Sequence, residues 1–182
     1  MQTQPAFKDR GNLLPSGADY GVWTGHQVPA DPAAWHPLVR RFYEYWRSIA
    51  PPGRLPGRQH LAPEDIVRLL SRLWMLDVFR DPLRFRYRLV GTDITRSVQR
   101  ELTGRWVDEA QSEAWRNPNL RDRYRFILET GQATWRRGRV LWERDPTHRF
   151  VENCLAPLAT DGKTVDKIIA VSVILDADGR QV

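Results

Sequence analysis

The segment from Leu73 to Gly91 constrains the fold most, because two runs with strand character flank the turn signal Asp81-Pro82. In the second run, arginines alternate strictly with apolar residues. Successive side chains of a strand point to opposite faces, so the apolar residues share one face and the arginines share the other. The apolar set is Phe85, Tyr87 and Leu89, and the basic set is Arg84, Arg86 and Arg88. The segment predicts an antiparallel hairpin whose apolar face another element must cover.

The register of this hairpin follows from matching apolar residues and charges across the turn. The predicted pairs are Trp74 with Leu89, Leu76 with Tyr87, Val78 with Phe85 and Asp77 with Arg86. In this register Asp77 and Arg86 form a cross-strand ion pair on the face opposite the apolar residues. A slip of one residue would set Asp77 against an aromatic side chain, so the charge pattern supports the register.

Residues 35–49 carry the most regular helical pattern of the chain. The apolar stripe consists of Trp35, Leu38, Val39, Phe42, Trp46 and Ile49. Asp31-Pro32 is a start signal for this helix, and Pro51-Pro52-Gly53 stops it. A helix of this length needs tertiary contacts to form, so the favoured interpretation is packing within its own domain, or mixed packing. The alternative is a dimerisation helix.

The remaining pattern alternates short helices with strands. Short helices are predicted after Pro63 and after Thr92, and a longer one runs from Asn117, its cap, to a C-terminal glycine at Gly131. Strand candidates cover residues 133–142, 148–158 and 165–175, and the last is rich in β-branched residues, which suits a central strand. The order predicts an α+β fold: a five-stranded antiparallel sheet with short helices on one face, plus the N-terminal amphipathic helix.

The length of 182 residues fits one domain with an extension. The predicted division is an extended or disordered leader over 1–34, a helix and linker over 35–62, a domain over 63–176 and a tail over 177–182. The one cysteine excludes a disulfide within the chain. No apolar signal segment or run of membrane-spanning length occurs, so we expect a cytoplasmic protein without a membrane partner.

Several short motifs between residues 36 and 176 resemble the PAS sensory domain, specifically the short bacterial PAS-like proteins. They are Leu76-Asp77-Val78, Arg84-Phe85-Arg86-Tyr87-Arg88-Leu89-Val90-Gly91-Thr92, Leu102-Thr103-Gly104-Arg105, and Ala156-Pro157-Leu158 followed by Asp161-Gly162. One departure is Gln99, where the family pattern would have a glycine ending the helix after Thr92. The resemblance implies a non-catalytic sensory or regulatory protein that acts through a protein partner or self-association. Such domains hold a small ligand between the sheet and the helices, or hold none.

The sequence lacks the markers of the best-known PAS cofactors. A flavin photoadduct requires a cysteine in an Asn-Cys-Arg-Phe-type helix segment, whereas Cys154 falls on a predicted strand and is interpreted as a small buried residue. A haem requires an axial histidine, typically on the long helix, and residues 117–131 contain none. The four histidines show no metal-ligand spacing. We therefore expect no haem, no flavin and no metal.

A ligand, if one binds, should meet the apolar face of the sheet and the segment around Trp106. The candidate ligand-binding residues are Leu76, Tyr87, Leu89, Trp106, Phe126 and Asn153, with Glu152 as an alternative to Asn153. Tyr87 would supply a polar handle in an apolar pocket. The alternative is that these side chains simply fill the core.

The net charge of +6 and a pI near 10.0 raise a second interpretation, a basic regulator that associates weakly with nucleic acid. The basic residues are spread along the chain and form no block, which makes a nucleic-acid partner the less favoured alternative. No group of residues matches the roles that a catalytic site requires, so we do not expect an enzyme.

Overall fold

A computed structural model describes residues 32–140, 150–176 and 178–181. The strands are β1 (Leu73–Arg80), β2 (Leu83–Val90), β3 (Thr134–Arg139), β4 (Phe150–Leu158) and β5 (Lys167–Leu175). They form a five-stranded antiparallel sheet in the order β2-β1-β5-β4-β3. The predicted α+β class and the central position of the last strand are confirmed. Residues 141–149, which include parts of two predicted strands, lie outside the described residues.

Helices occupy both sides of the sheet. Within residues 32–140 they are α1 (Pro37–Ser48), α2 (Thr92–Val98), α3 (Val107–Ala110), α4 (Ser112–Arg116) and α5 (Pro118–Thr130), with 3₁₀ segments at Pro32–Ala34, Arg58–His60 and Pro63–Arg72. The last three residues of the predicted leader thus form a 3₁₀ turn, and residues 1–31 lie outside the described residues. None of the helices found in the described ranges is long and apolar enough to cross a membrane.

The period-2 alternation of the strands produces a core on each face of the sheet. On the face that we call the front, Trp74, Leu76, Phe85 and Tyr87 pack against α2, α3 and α5. On the opposite face, which we call the back, side chains such as Met75 pack against α1 and the 3₁₀ segment before β1. β4 and β5 supply both cores with alternate residues.

The helix α1 covers the back face with its apolar stripe. It spans Pro37–Ser48 rather than the predicted 35–49, because His36 is the cap and its Nδ1 accepts the N–H of Leu38 at 3.2 Å. The Nε1–H of Trp46 donates to the carbonyl oxygen of Pro157 at 2.8 Å, which satisfies the buried indole.

Two tryptophans extend this packing beyond the end of the helix. Trp35 precedes α1, is buried, and stacks on Trp135 of β3 with ring centroids 5.5 Å apart. In the described residues, the stripe is therefore covered by the chain's own sheet.

The β1–β2 register agrees with the prediction near the turn and departs from it at the far end. The predicted pairs Leu76 with Tyr87, Asp77 with Arg86 and Val78 with Phe85 are present. The predicted pair of Trp74 with Leu89 is wrong, because Trp74 pairs with Val90 and Met75 pairs with Leu89. This shift leaves Arg88 as an extra residue in a β-bulge, which reverses the alternation beyond it. Val90 consequently packs on the front core, while Leu89 turns to the back and is 45% exposed.

The helices α2 and α5 each end at a residue with a left-handed backbone conformation. Gly131 follows α5 with φ 66°, as predicted. Gln99 follows α2 with φ 53°, so the position does adopt the conformation for which the family pattern has a glycine. The turn is retained even though glutamine is a poor residue for it.

Candidate ligand cavity

A cavity of about 70 Å³ lies between the front face and the helices α2, α4 and α5. All five strands contribute to its wall, through Trp74, Tyr87, Arg136, Asn153, Leu155 and Ser172. The helical side includes Ile94, Val98, Leu102, Asn117, Leu120 and Arg123. Pockets for drug-sized ligands measure roughly 300–1,000 Å³, so this cavity suits a molecule of a few heavy atoms or a few waters.

Arg123 is the most enclosed charged group at the cavity, with 3% of its surface exposed. Its Nε donates to Oγ1 of Thr134 at 2.8 Å, and its Nη2 donates to the carbonyl oxygen of the same residue at 3.1 Å. Its Nη1 donates to Oδ1 of Asn153 at 2.7 Å. Burial, followed by the charge of Arg136, lowers the pKa of Arg123 to about 9. These bonds fix the guanidinium between α5 and the β3–β4 end of the sheet.

A second arginine lines the same end of the cavity. Arg136 lies two residues after Thr134 on β3 and therefore shares its front-facing side, and burial lowers its pKa to about 10. The first turn of α5 borders the same space through Asn117 and Leu120, and a helix N-terminus carries positive partial charge. Positive charge is thus concentrated at the β3–β4 end.

The opposite end of the cavity is aromatic and apolar. Trp74 and Tyr87 lie on β1 and β2 with ring centroids 6.2 Å apart, and α2 adds two aliphatic side chains. The Nε1–H of Trp74 donates to Oγ of Ser172 at 2.9 Å. Burial raises the pKa of Tyr87 well above its ordinary value and also raises that of Tyr124, so both hydroxyls stay protonated at neutral pH. The cavity therefore has a basic end at β3–β4 and an apolar end at β1–β2.

Of the six candidate ligand residues, Tyr87 and Asn153 line the cavity. Leu76 is fully buried in the front core but does not reach the cavity. The placement of Leu89 on this face is wrong, because the bulge in β2 turns it to the back. Glu152, the alternative to Asn153, also faces the back, since adjacent strand residues point to opposite faces.

The other two candidates lie outside the cavity. Trp106 packs at the edge strand β2, where its ring is 4.9 Å from that of Phe79 and lies under the Arg84 guanidinium at 4.2 Å. Arg84 also forms an ion pair with Asp108 at 2.9 Å, so this cluster fastens the start of α3 to β2. Phe126 is half-buried on α5 and does not line the cavity.

Sequence reasoning missed Arg123 and Arg136. A signal for the first was present, because Arg123 falls three residues after Leu120 and four before Ile127, on the buried stripe of the helix. An arginine in that position must find buried polar partners, which is a mark of a functional or structural polar site. For Arg136 the signal was weaker, since Arg137 follows it and the sequence alone does not say which one faces inward.

The cysteine and the described histidines lie away from the cavity. Cys154 belongs to the back core, and its burial raises the pKa of the thiol to about 12. It is the small buried residue that the sequence predicted, on the sheet face opposite the cavity. His36 and His60 do not line the cavity. No cluster of potential metal ligands occurs among the described residues.

A buried carboxylate occupies the back face beside the cavity wall. Oε1 of Glu152 accepts the backbone N–H of His36 at 2.6 Å and the Nε1–H of Trp135 at 3.1 Å. Nη1 of Arg137 lies 3.8 Å from Oε2 of the same carboxylate. Burial raises the pKa of Glu152 despite these partners. The group links the start of α1 to β4, the strand that also carries Asn153.

An open groove of about 440 Å³ lies along the β1–β2 hairpin. Its walls include Arg58, Arg86, Arg88, Asp77 and Leu89. The Asp77 carboxylate lies 3.9 Å from Arg86 and 3.5 Å from Arg88, so the predicted cross-strand pair forms and is shared with the bulge residue. The groove is basic, although its one carboxylate offsets part of the charge.

Comparison with known proteins identifies the fold family. A family model described as PAS domain matches residues 34–172. A search of curated proteins finds no match. One similar solved structure is that of an RNA-binding light-oxygen-voltage receptor, with 17% identity and a TM-score of 0.46 over 70% of this chain and 36% of that one. The chain thus spans about a third of that receptor's length, and the likeness is too remote to carry function across. The match of the family model over most of the chain shows that this protein belongs to the PAS domain family.

Proposed function

We propose that this chain is a non-catalytic sensory domain that holds a small ligand in the front cavity and signals through protein contacts. The observation that carries the proposal is the cavity itself, which is small, enclosed by sheet and helices, and lined at one end by two arginines. A core that served stability alone would be expected to close over apolar side chains, because burying charge is costly. Its position between sheet and helices is where ligand-holding members of this family bind small molecules.

A path from the cavity to the outer surface runs through β4. Asn153 bonds to Arg123 on the front, and the adjacent Glu152 accepts the N–H of His36 on the back. A ligand that shifts the Arg123–Asn153 contact would therefore change the support for the start of α1. We propose that α1 and the exposed apolar side chains present the signal to a protein partner or a second copy. Those side chains are Val67, Leu70, Phe79, Leu83 and Leu89.

Thermal-shift and native mass spectrometry measurements with a panel of small acids, amides, amines and alcohols test this function. The variant Ala114→Met should abolish binding of any hit, because Ala114 is buried at the cavity wall and a longer side chain would occupy the space. The matched control is Ser112→Met on the same helix, where the side chain is exposed. A hit retained by Ala114→Met, or no hit from any chemical class, would contradict the proposal.

A second candidate function, weak nucleic-acid association, is favoured by the basic groove of Arg58, Arg86 and Arg88. Contacts made only to phosphates give Kd values on the order of 10⁻⁴–10⁻⁶ M at physiological salt and weaken steeply as salt rises. Fluorescence anisotropy with mixed DNA and RNA oligomers at two salt concentrations measures this. Nanomolar, sequence-selective binding that Arg86→Ala removes would make nucleic-acid regulation the leading function.

A further inference from the structure

We propose that the front cavity binds a small neutral carbonyl compound, whose oxygen accepts hydrogen bonds from the hydroxyls of Tyr87 and Tyr124. The inference rests on the proposed function, because it names the ligand class for the same cavity. It follows from two buried hydroxyls, and it uses neither cavity arginine as a ligand-binding group. Arg123 and Arg136 already have interaction partners within the protein.

Both tyrosines are almost fully buried at the cavity wall. Tyr87 lies on β2 and is 4% exposed, and Tyr124 lies on α5 and is 2% exposed. Neither hydroxyl forms a hydrogen bond within the part of the chain that the structure describes. The described polar side-chain atoms that are both inaccessible and unpartnered belong to Trp35, Ser97, Arg137 and Glu152. Each tyrosine hydroxyl therefore keeps accessible surface, which the cavity provides.

A tyrosine on the back of the sheet has a hydroxyl that the fold satisfies. The hydroxyl of Tyr45 on α1 accepts the N–H of Ala62 at 2.8 Å and donates to the carbonyl oxygen of the same residue at 3.3 Å. Buried polar groups are nearly always paired in this way, because an unpaired group loses the hydrogen bonds that it made with water. Two unpaired hydroxyls at one cavity thus indicate that a molecule in the cavity completes their hydrogen bonds.

The two hydroxyls are neighbours at the apolar end of the cavity. Tyr124 packs on Phe85 of β2 with ring centroids 4.9 Å apart, and Tyr87 lies two residues further along that strand. Burial, followed by the neighbouring Tyr124, raises the pKa of Tyr87. The pair therefore presents two neutral donors to one space.

The surroundings of the hydroxyls favour a neutral oxygen over a charged group. The burial that raises the pKa of both phenols opposes a negative charge on their oxygens, and it opposes a carboxylate beside them for the same reason. An ammonium group would be enclosed without a counter-charge, since no carboxylate is among the described side chains that line the cavity. A carbonyl oxygen carries no net charge, and its two lone pairs can accept both hydroxyls.

The remaining wall sets the size and the body of the ligand. Ile94, Val98 and Leu102 line the cavity beside the aromatic rings, so the rest of the molecule is apolar. The volume of about 70 Å³ limits it to a few carbons. Short ketones, aldehydes and amides meet both requirements.

Isothermal titration calorimetry at constant ionic strength tests the ligand class with probes of matched size. The probes are butanone, propionamide, propionate, sec-butylamine and 2-methyl-1-butene, in which a methylene group replaces the carbonyl oxygen of butanone. We expect butanone and propionamide to bind best, and the other three to bind at least about 10-fold more weakly, because the hydrocarbon lacks the acceptor and the ions carry a charge.

Each other outcome of the titration overturns the assignment in a distinct way. Equal or tighter binding of propionate or the amine overturns the neutral ligand class and leaves the ligand-binding function standing. Equal binding of the hydrocarbon would show that the hydroxyls are hydrated by water alone. No binding by any probe also overturns the assignment, and the wider panel used with Ala114→Met then tests the proposed function separately.

Variants that remove single hydroxyls test which residues hold the oxygen. Tyr124→Phe and Tyr87→Phe should each weaken butanone binding about 3- to 10-fold and leave the binding of 2-methyl-1-butene unchanged. Tyr45→Phe is the matched control, because it removes a hydroxyl on the back of the sheet and should leave butanone binding unchanged.

Thermal melts without ligand give a second readout of the same variants. Tyr45→Phe should lower the melting temperature, because Ala62 loses its partner, whereas Tyr124→Phe and Tyr87→Phe should not lower it. A front variant that binds butanone as tightly as wild type would overturn the assignment of its hydroxyl. A front variant that melts as early as Tyr45→Phe would show that its hydroxyl has a structural partner, which also overturns the proposal.

Discussion

The two faces of the sheet enclose buried charges in different ways. On the back, Glu152 lies beneath α1 and accepts hydrogen bonds from His36 and Trp135, within a closely packed apolar core. On the front, Arg123 and Arg136 border a cavity. Glu152 therefore joins α1 to β4, and Arg123 joins α5 to β3 and β4 but also borders an open space. We propose from this difference that the back face stabilises the fold and that the front face serves a ligand.

The two faces can differ in this way because the side chains of each strand alternate between them. Adjacent residues of one strand point to opposite faces, so β4 places Asn153 at the cavity and Glu152 beneath α1. The strand β4 therefore contributes both to the cavity wall and to the contact with α1. Substitutions on the back should change stability, and substitutions at the cavity should change binding.

The largest effect is expected for Trp46→Asp on the back face. Removing a buried tryptophan costs about 3–5 kcal/mol, and burying a carboxylate without a partner adds to that loss. We expect the variant to unfold at much lower urea concentration or not to fold, as followed by circular dichroism. Arg41→Asp on the exposed side of α1 is the control and should remain close to wild type. Unchanged melting temperature and mass in Trp46→Asp would show that the stripe is not a structural contact.

A smaller, pH-dependent effect is expected for Glu152→Gln. Burial raises the pKa of Glu152 in the folded protein above its unfolded value, so its contribution to stability is full below the unfolded pKa and is lost as pH rises through the folded pKa. The glutamine variant lacks this loss and should gain stability relative to wild type as pH rises from 4 to 7.

Other charged groups near this carboxylate are Arg137 and His36, and burial, followed by the charges of Arg137 and Arg72, lowers the pKa of His36. They are common to both proteins, so urea unfolding of wild type and variant at each pH isolates the Glu152 contribution. A difference that stays constant with pH would contradict the account.

The smallest effect is expected for Gln99→Gly at the end of α2. Gln99 has φ 53°, and a left-handed conformation costs a non-glycine residue about 1 kcal/mol. Glycine should raise the free energy of unfolding by up to that amount, while Gln99→Ala should give no gain. Thermal melts of the three proteins measure the difference. A lower melting temperature for the glycine variant would show that the glutamine side chain stabilises the turn.

Much of the fold could be predicted because its signals are local. The alternation of Arg84 to Leu89 defines a strand, and Asn117 with Gly131 marks both ends of α5. The bulge at Arg88 could not be predicted, because alternation continues unbroken through Leu89 in the sequence. It is the tertiary pairing of Trp74 with Val90 that introduces the extra residue.

The candidate site was less predictable than the fold. Tyr87 could be placed from strand alternation, whereas the choice between Asn153 and Glu152 stayed open. Trp106 lies outside the cavity because it follows a turn, where no periodicity indicates the direction of a side chain. Arg123 and Arg136 meet across a helix and a strand, and only the tertiary structure brings them to one end of the cavity.

The most direct test follows the indole N–H signals of three tryptophans by two-dimensional NMR during a titration with the tightest-binding compound of the small-molecule panel. Trp74 lines the front cavity and donates to Ser172, whereas Trp46 donates to Pro157 on the back and Trp135 donates to Glu152 there. Single Trp→Phe variants assign the three signals. We predict a saturable shift of the Trp74 signal, with the Trp46 signal unchanged and at most a small shift at Trp135. A Trp74 signal that does not move at a saturating concentration of that compound, or equal shifts on both faces, would contradict the proposal that the ligand site lies on the front of the sheet.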